Sequence, residues 1–519
     1  MAKKGPKKAA LAYPRLAAID IGSNAMRMVI AEMQPGFHLK PLKSIRSAVR
    51  LGQDVFTTGV VQEATLKKAC QALAGFSDWL KKYSVTQVLA VATSAAREAK
   101  NQKQVFEAIR RESGVEVQLL PGEEEARLVY LAVQRHLPLG DRSVLVVDIG
   151  GGSVELIVGQ GGQVRALESL KMGTVRILAR LGAEKVRDGQ LFIRRAREYI
   201  EATRGWVQYF LAEHRVEVMV ATGGNAEALA ELAQQHFHRP FGDQISKHEL
   251  DQLVALLESM SADERRRRLG LRVDRADVIL PAALVFQSLM HQAGASQLVV
   301  PGVGLKDGLL EELRVRALGD RPDGLDRDQV IAACLQLGRK YDFDEEHARQ
   351  VADLSLQLFD GLLSVHRCRP TDRLLLEAAG LLHDIGKFIN FSGHHKHSHY
   401  IILSSPMVGL TQAQRHLVAA LARYHRKTVP GLQHEFFRQL SEEDRGRVMR
   451  LSALLRLAEA LDAEHGGMVR RVQVLVRRNR VQLSLHGQGD LALERWLVPA
   501  KFDPLEKALG IKVGLSGEA

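Results

Sequence analysis

Cysteine is scarce: three residues in 519, Cys70, Cys334 and Cys368, lie far apart, are odd in number and form no CxxC pair. This excludes a disulfide framework and the usual zinc spacings, and it fits a reducing, cytoplasmic setting. No apolar run approaches the roughly 20 residues of a membrane span. The Lys-rich start, Met1 to Pro14, has no apolar stretch of the signal-peptide kind. A soluble protein without a membrane partner is expected. Aromatic residues make up only 5% of the chain. With no helix-turn-helix or zinc-finger spacing either, nucleic acid is a disfavoured partner. A Walker A loop is also missing, and no glycine-rich turn following the first strands opens directly into a helix, which disfavours P-loop and dinucleotide sites.

What the chain does have is bulk and positive charge. Its length and 46% hydrophobic content suffice for about three or four units. Seventy-two basic against sixty acidic residues leave a net charge of +12. That raises the local concentration of anionic partners without naming one. The basic run Arg265 to Arg268, in DERRRRLG, reads as a solvated helix face.

From Leu16, LAAIDIGSNAMRMVIAEM reads as an apolar strand, a small-residue turn and a second strand. Glu63 to Lys82 has helical periodicity, Val85 to Ser94 is a strand running into a turn, and Val115 to Leu120 is a short strand. The pattern then restarts. Ser143 to Gly159, SVLVVDIGGGSVELIVG, repeats the strand, Asp-x-Gly turn and strand, with Asp148 standing 128 residues after Asp20. Strand-turn-helix patterns follow at EVMVATGGNAEALAEL and at Gln297 to Leu313. Gly319 to Arg327 is the best linker, and from Gln329 to about Ala463 the periodicity is almost wholly helical. Alternating apolar and basic residues at Val469 to Gly487 read as two closing strands. The expected class is α/β: two duplicated lobes at 14–134 and 135–318, a helical domain at 325–465, and a small α/β unit at 466–519.

The two turns carry the chemistry. Gly and Ser let backbone N–H groups converge on a phosphate, and an Asp at the strand end holds Mg²⁺ or its waters. One such turn is also simply a tight hairpin; two at matching places in duplicated units carry more weight. Two lobes, each with a phosphate hairpin, resemble the actin, sugar-kinase and heat-shock ATPase superfamily with its ribonuclease-H-like lobes. DIGSNAMRMVI, ATSAAREA, GEEEARLVY, DIGGGSVELI, ATGGNAEAL and RADVILPAAL, in that order, resemble the exopolyphosphatase and guanosine pentaphosphate phosphohydrolase family. The resemblance covers nearly the whole chain.

It implies a hydrolase acting on phosphoric anhydrides, with Mg²⁺ as cofactor and a homodimeric state. The substrate is inorganic polyphosphate or guanosine pentaphosphate, and the +12 charge leans toward the longer polyanion. By itself the acidic run after Pro121 reads as a first turn complementing the helix dipole. The motif match places Glu125 at the family's general base, with Glu123 and Glu124 structural. Asp148 and Glu155 are then the Mg²⁺ residues, directly or through water, supported by Asp20. Gly22, Ser23, Asn24, Gly150, Gly151, Gly152 and Ser153 bind phosphate through backbone groups. Arg97 resembles the family's phosphate-contacting arginine, against a plain helix-start role. Lys171 and Arg176 are weaker candidates. Gly223, Gly224 and Asn225 stand where related kinases hold a nucleotide, but here they line the channel, with no adenosine binding. A non-catalytic alarmone sensor would lack Glu125, and a kinase would need a competent nucleotide site.

In the helical domain, LLHDIGKF with a remote His and Asp resembles the HD phosphohydrolase pattern. It implies a transition-metal site at His347, His383, Asp384 and Asp462, with His395 and His425 for a second ion and His397 less central. An additional phosphoesterase activity is one reading; a helical platform that extends the polyphosphate groove or mediates dimerisation is the other.

Overall fold

A computed structural model of the chain describes residues 13–182, 189–212, 214–239, 243–317, 327–405, 407–426, 428–478 and 480–516. The chain forms two compact units, Met1–Gly324 and Leu325–Ala519. Apart from Arg327, which opens helix Arg327–Lys340, the expected linker lies outside the described residues. So does the Lys-rich start before Tyr13.

The first unit contains two sheets of the same plan. One has the order β3-β2-β1-β4-β5, from β1 (Arg15–Ile21), β2 (Met26–Met33), β3 (Leu39–Ser47), β4 (Gln87–Ala92) and β5 (Val117–Leu119). The other runs β8-β7-β6-β9-β11-β10, from β6 (Val144–Ile149), β7 (Val154–Gln160), β8 (Gln163–Leu170), β9 (Val218–Thr222), β10 (Gln244–Ser246) and β11 (Gln297–Val299). In each, the first three strands are an antiparallel meander and the first strand pairs parallel with the fourth. Strands β1 and β6 are centrally placed and covered on both faces, which is why they read as continuous apolar runs rather than alternating ones. Each lobe has its own core.

The pairing register fixes the site. Asp20 pairs with Arg27 across the β1–β2 hairpin, and Asp148 pairs with Glu155 across β6–β7. Each Asp is the penultimate residue of a central strand, so both carboxylates are delivered to the same end of their sheets. Helix Gly122–His136 follows β5 and buries Glu125 in its first turn.

The second unit is built on helices Glu345–Gly361, Pro370–Leu382, His394–Ser404, Gln412–Tyr424 and Glu442–Ala460. A three-stranded sheet follows, β12 (Val469–Arg477), β13 (Arg480–Gly487) and β14 (Lys512–Leu515), ordered β12-β13-β14. Val469, Val481, Leu483 and Leu515 belong to the same hydrophobic core as the helices. No helix among the described residues is long and apolar enough to cross a membrane.

The basic run divides. Arg265 is buried and donates to the carbonyls of Leu257 and Ala276, tying its short helix down, whereas Arg266, Arg267 and Arg268 are exposed.

Candidate active site

The two Asp-x-Gly turns face one another in the cleft between the lobes. Both are closed alike: Gly22 N–H donates to Ala25 O at 3.1 Å, and Gly150 N–H to Ser153 O at 3.0 Å. These two amides are therefore taken by the turns themselves, which corrects the expectation that Gly150 donates to phosphate through its N–H. The loops are in close contact. A Cβ on Gly151 would lie 3.0 Å from Ser23 Cβ, and one on Gly152 would lie 2.4 Å from Ser94 Oγ. Only glycine lets the second loop come this near to the first lobe.

Glu125, Asp148 and Glu155 bring carboxylate oxygens within 4.8 Å of one another, and all three are buried. Burial pushes the carboxyl groups of Asp20 and Asp148 up to about 6 from an ordinary 3.8. It raises Glu125, which Arg97 pulls back, and raises Glu155 well above the ordinary range. Glu155 Oε1 accepts from Ser169 Oγ at 3.0 Å, while its buried Oε2 has no hydrogen-bond partner. Asp148 Oδ1 accepts from Thr222 Oγ1 at 2.9 Å. Three buried carboxylates with one orphaned oxygen form a donor set for a hard divalent cation, which would neutralise their mutual repulsion.

The same cavity carries positive charge. Arg27, Arg275 and Lys306 line the same cavity as Asp20, Glu125 and Asp148. Arg27 is 3.6 Å from Asp20 Oδ2. Arg275 is buried and donates to Asn225 Oδ1, but its Nε has no partner. Burial, and then the neighbouring Arg27, Arg46 and Arg272, lower its guanidinium to about 10. A Cβ on Gly224 would lie 2.6 Å from one guanidinium and 2.8 Å from the other, so glycine leaves room for both arginines. Cations pressed together with unspent donors suit an anionic ligand.

Residues 29–316 match the profile described as the Ppx/GppA phosphatase family, and residues 331–501 match Ppx/GppA phosphatase, domain III. The chain belongs to the Ppx/GppA phosphatase family. It is 28% identical over 456 residues to a guanosine-5'-triphosphate,3'-diphosphate pyrophosphatase of Photobacterium profundum, covering 86% of each chain. The similar protein of Vibrio vulnificus is also 28% identical, over 455 residues, covering 86% of this chain and 87% of that one. An exopolyphosphatase structure from Cytophaga hutchinsonii superposes with a TM-score of 0.55 at 25% identity, covering 58% of this chain and 97% of that one. A family member from Aquifex aeolicus gives 0.50 at 29% identity, covering 59% and 98%. As a Ppx/GppA-family enzyme, the protein hydrolyses phosphoanhydrides.

Within this Ppx/GppA cleft the expected residues fall into two groups. Asp20, Gly22, Ser23, Asn24, Glu125, Asp148, Gly150, Gly151, Gly223 and Gly224 line the cavity. Glu155 lies just behind, fully buried. Ser23 Oγ accepts from Ala95 N–H, so its hydroxyl anchors the ATSAAR turn. Gly152 and Ser153 are braced from behind: Arg176 donates to Gly152 O at 2.7 Å and grips Glu98 with two bonds of 2.9 Å. Arg176 is thus a strut between the lobes. Arg97 donates to Leu120 O and, at 2.9 Å, to Glu125 Oε2. Lys171 is 74% exposed and pairs with Glu98. Arg27, Arg275 and Lys306 received no role from the sequence. The first two stand inside DIGSNAMRMVI and RADVILPAAL, where the signal lay.

In the helical domain, Asp384 lies 3.8 Å from His347 Nε2, 3.5 Å from His383 Nε2, 3.1 Å from His394 Nε2 and 3.5 Å from His425 Nε2. The structure brings His394, which the sequence reading did not name, to this point. His394 opens its helix with Nδ1 on Phe391 O, and His395 is rotated about 100° around the axis. Asp462 Oδ2 holds His347 Nδ1 at 2.7 Å and its Oδ1 accepts Gly467 N–H, so it orients the His347 ring. His397 is half-buried.

Proposed function

We propose that this enzyme is an exopolyphosphatase, releasing orthophosphate from the end of inorganic polyphosphate. The observation that carries the reading is the meeting of two charge sets at one cavity: the acids Glu125 and Asp148, with Glu155 beside them, and the cations Arg27, Arg275 and Lys306. The terminal phosphoryl group seats at the carboxylates and turns, and the following phosphates run toward the cations.

Asp148 and Glu155 would hold Mg²⁺, directly or through water, with Asp20 in support. When bound, Mg²⁺ neutralises charge on the carboxylates and on the phosphoryl oxygens. Glu125 accepts a proton from the attacking water as the water oxygen bonds to the terminal phosphorus. The bond from that phosphorus to the bridging oxygen breaks, and the oxygen leaves as the new end of the shortened chain. Arg97 fixes the Glu125 carboxylate and opposes the upward pull of burial on it. In the helical domain, the imidazole-rich set His347, His383 and Asp384 suits a transition-metal ion rather than Mg²⁺.

Guanosine pentaphosphate is the second reading, favoured by the names of relatives that match over 86% of this chain. Both substrates end in a phosphoanhydride. Phosphate release with Mg²⁺ from long polyphosphate, short polyphosphate and guanosine pentaphosphate, run in parallel, separates them. The exopolyphosphatase reading requires kcat/KM to be highest on long chains; a higher value on guanosine pentaphosphate overturns it in favour of the second.

A further inference from the structure

The helix that presents Glu125 is backed by a second helix from much later in the chain. Helix Leu305–Ala317 follows β11 of the second sheet, yet it packs on β1 and β2 of the first sheet and along helix Gly122–His136. The two helices meet backbone to backbone. A Cβ on Gly308 would lie 2.0 Å from Leu128 O, so only glycine permits this approach.

Beside that crossing lies a buried ion network that the cleft chemistry does not use. Arg127 donates to Glu124 through Nε at 2.9 Å and through Nη2 at 2.6 Å, and Nη2 also reaches Glu312 Oε2, on the other helix, at 2.9 Å. The Arg127 and Glu312 side chains are each only 7% exposed. Arg316 donates to the second Glu312 oxygen at 3.1 Å. A buried ion pair adds little stability over an apolar pair of the same shape, but its fixed geometry can set register. The planar fork of an arginine makes that geometry stringent.

Position along the helix gives the register a consequence. Arg127 follows Glu125 by two residues, about 200° around the axis. Glu125 therefore faces the cavity while Arg127 faces the supporting helix. With a carboxylate about 5–6 Å from the axis, a helix rotation of about 10° displaces it by about 1 Å. The supporting helix also carries Lys306, which lines the same cavity and whose Nζ donates to Asp307 Oδ2 at 2.8 Å. Glu125 and this cation are thus parts of one two-helix body.

The geometry assigns Arg127 and Glu312 as positioning residues for phosphoanhydride hydrolysis: their bond across the two helices holds Glu125 in place relative to Lys306. Neither residue touches the substrate, and the assignment rests on the reading of Glu125 as the base. Helix Leu305–Ala317 is also packed on β1 and β2, so breaking the bond frees Glu125 rather than Lys306. The loss falls on kcat and leaves KM at its wild-type value.

The test is steady-state phosphate release by the full chain with Mg²⁺, expressed per folded molecule. The substrate is whichever of long polyphosphate and guanosine pentaphosphate the wild type cleaves faster. Arg127→Met and Glu312→Gln should each lower kcat about 10- to 100-fold, the effect of a displacement near 1 Å, with KM unchanged. The double variant should be no slower than the slower single one, since both remove the same bond. Arg127→Lys keeps the buried charge, and with it the fold, but loses the fork; its kcat should fall about tenfold. A pair that served stability alone would lower the melting temperature and leave kcat of the folded protein untouched. Wild-type kcat in Arg127→Lys, losses that multiply in the double variant, or a rise in KM in place of the fall in kcat would each overturn the assignment. Glu125→Gln, run alongside, tells the two failures apart. Near-normal turnover there defeats the base and this assignment together, whereas a slow Glu125→Gln beside a wild-type Arg127→Lys defeats this assignment alone.

Discussion

At the residue scale, the site depends on a few charges whose neighbours decide what they do. Glu125 sits at the start of a helix, where an acidic residue needs no function to be stable; what separates it from Glu123 and Glu124 is burial beside Asp148 and Glu155. That distinction could be taken from the sequence only through the family pattern, because burial is a tertiary property. Arg275 shows the opposite case. It lies inside a stretch already recognisable in the chain, yet its purpose emerges only when Arg27, from a distant hairpin, arrives across Gly224. Arg275→Ala is therefore expected to raise KM for polyphosphate about 10- to 100-fold, as loss of about 1.5–3 kcal/mol in a charged hydrogen bond implies, while kcat changes little. Steady-state kinetics on chains of defined length check this. A fall in kcat at constant KM would place Arg275 at the reacting phosphoryl group instead.

Among the elements, the matching hairpins were the most legible part, since a central strand covered on both faces must be apolar and an Asp-x-Gly turn must interrupt it. The edge strand β3 was not. LKPLKSIRS in β3 is half-exposed and carries a Pro, so neither alternation nor a hydrophobic run announces it. Helix phase was the weak point in the second unit, where HHKHSHY offers four histidines in six positions and only the helix start selects His394. The glycine loops make a demand of their own. A Cβ on Gly173 would lie 2.4 Å from the backbone of Gly152, with no flexible side chain to yield. Gly173→Ala should shift the second phosphate loop and lower kcat/KM about a hundredfold, since a displacement near 1 Å has that effect. The assay should be read beside circular dichroism that stays native; wild-type turnover would remove the loop from the account.

For the whole molecule, the buried acids of the cleft tie stability to pH and to metal. Asp20 and Asp148 titrate near 6 in the folded chain, against an ordinary 3.8. Between those values the folded chain holds protons that the unfolded chain has released. Stability from these groups therefore falls as pH rises from about 4 to about 6, and the loss is complete above about 6. Metal-free protein should melt higher at pH 5 than at pH 7 relative to an Asp20→Asn/Asp148→Asn variant, and Mg²⁺ should restore the difference at pH 7. Differential scanning calorimetry with and without Mg²⁺ measures it; an identical pH dependence in the double variant would contradict the assignment. The net charge of +12 would act at long range on the proposed polyanionic substrate, raising its local concentration near the cleft.

The measurement that bears most directly on the central claim is single-turnover phosphate release from long-chain polyphosphate with saturating Mg²⁺, comparing wild type with Glu125→Gln. Glutamine keeps the shape of the side chain but cannot take the water proton. The account predicts a rate lower by about 10²–10⁴, with polyphosphate binding retained. Release within a few-fold of wild type would show that Glu125 is not the base.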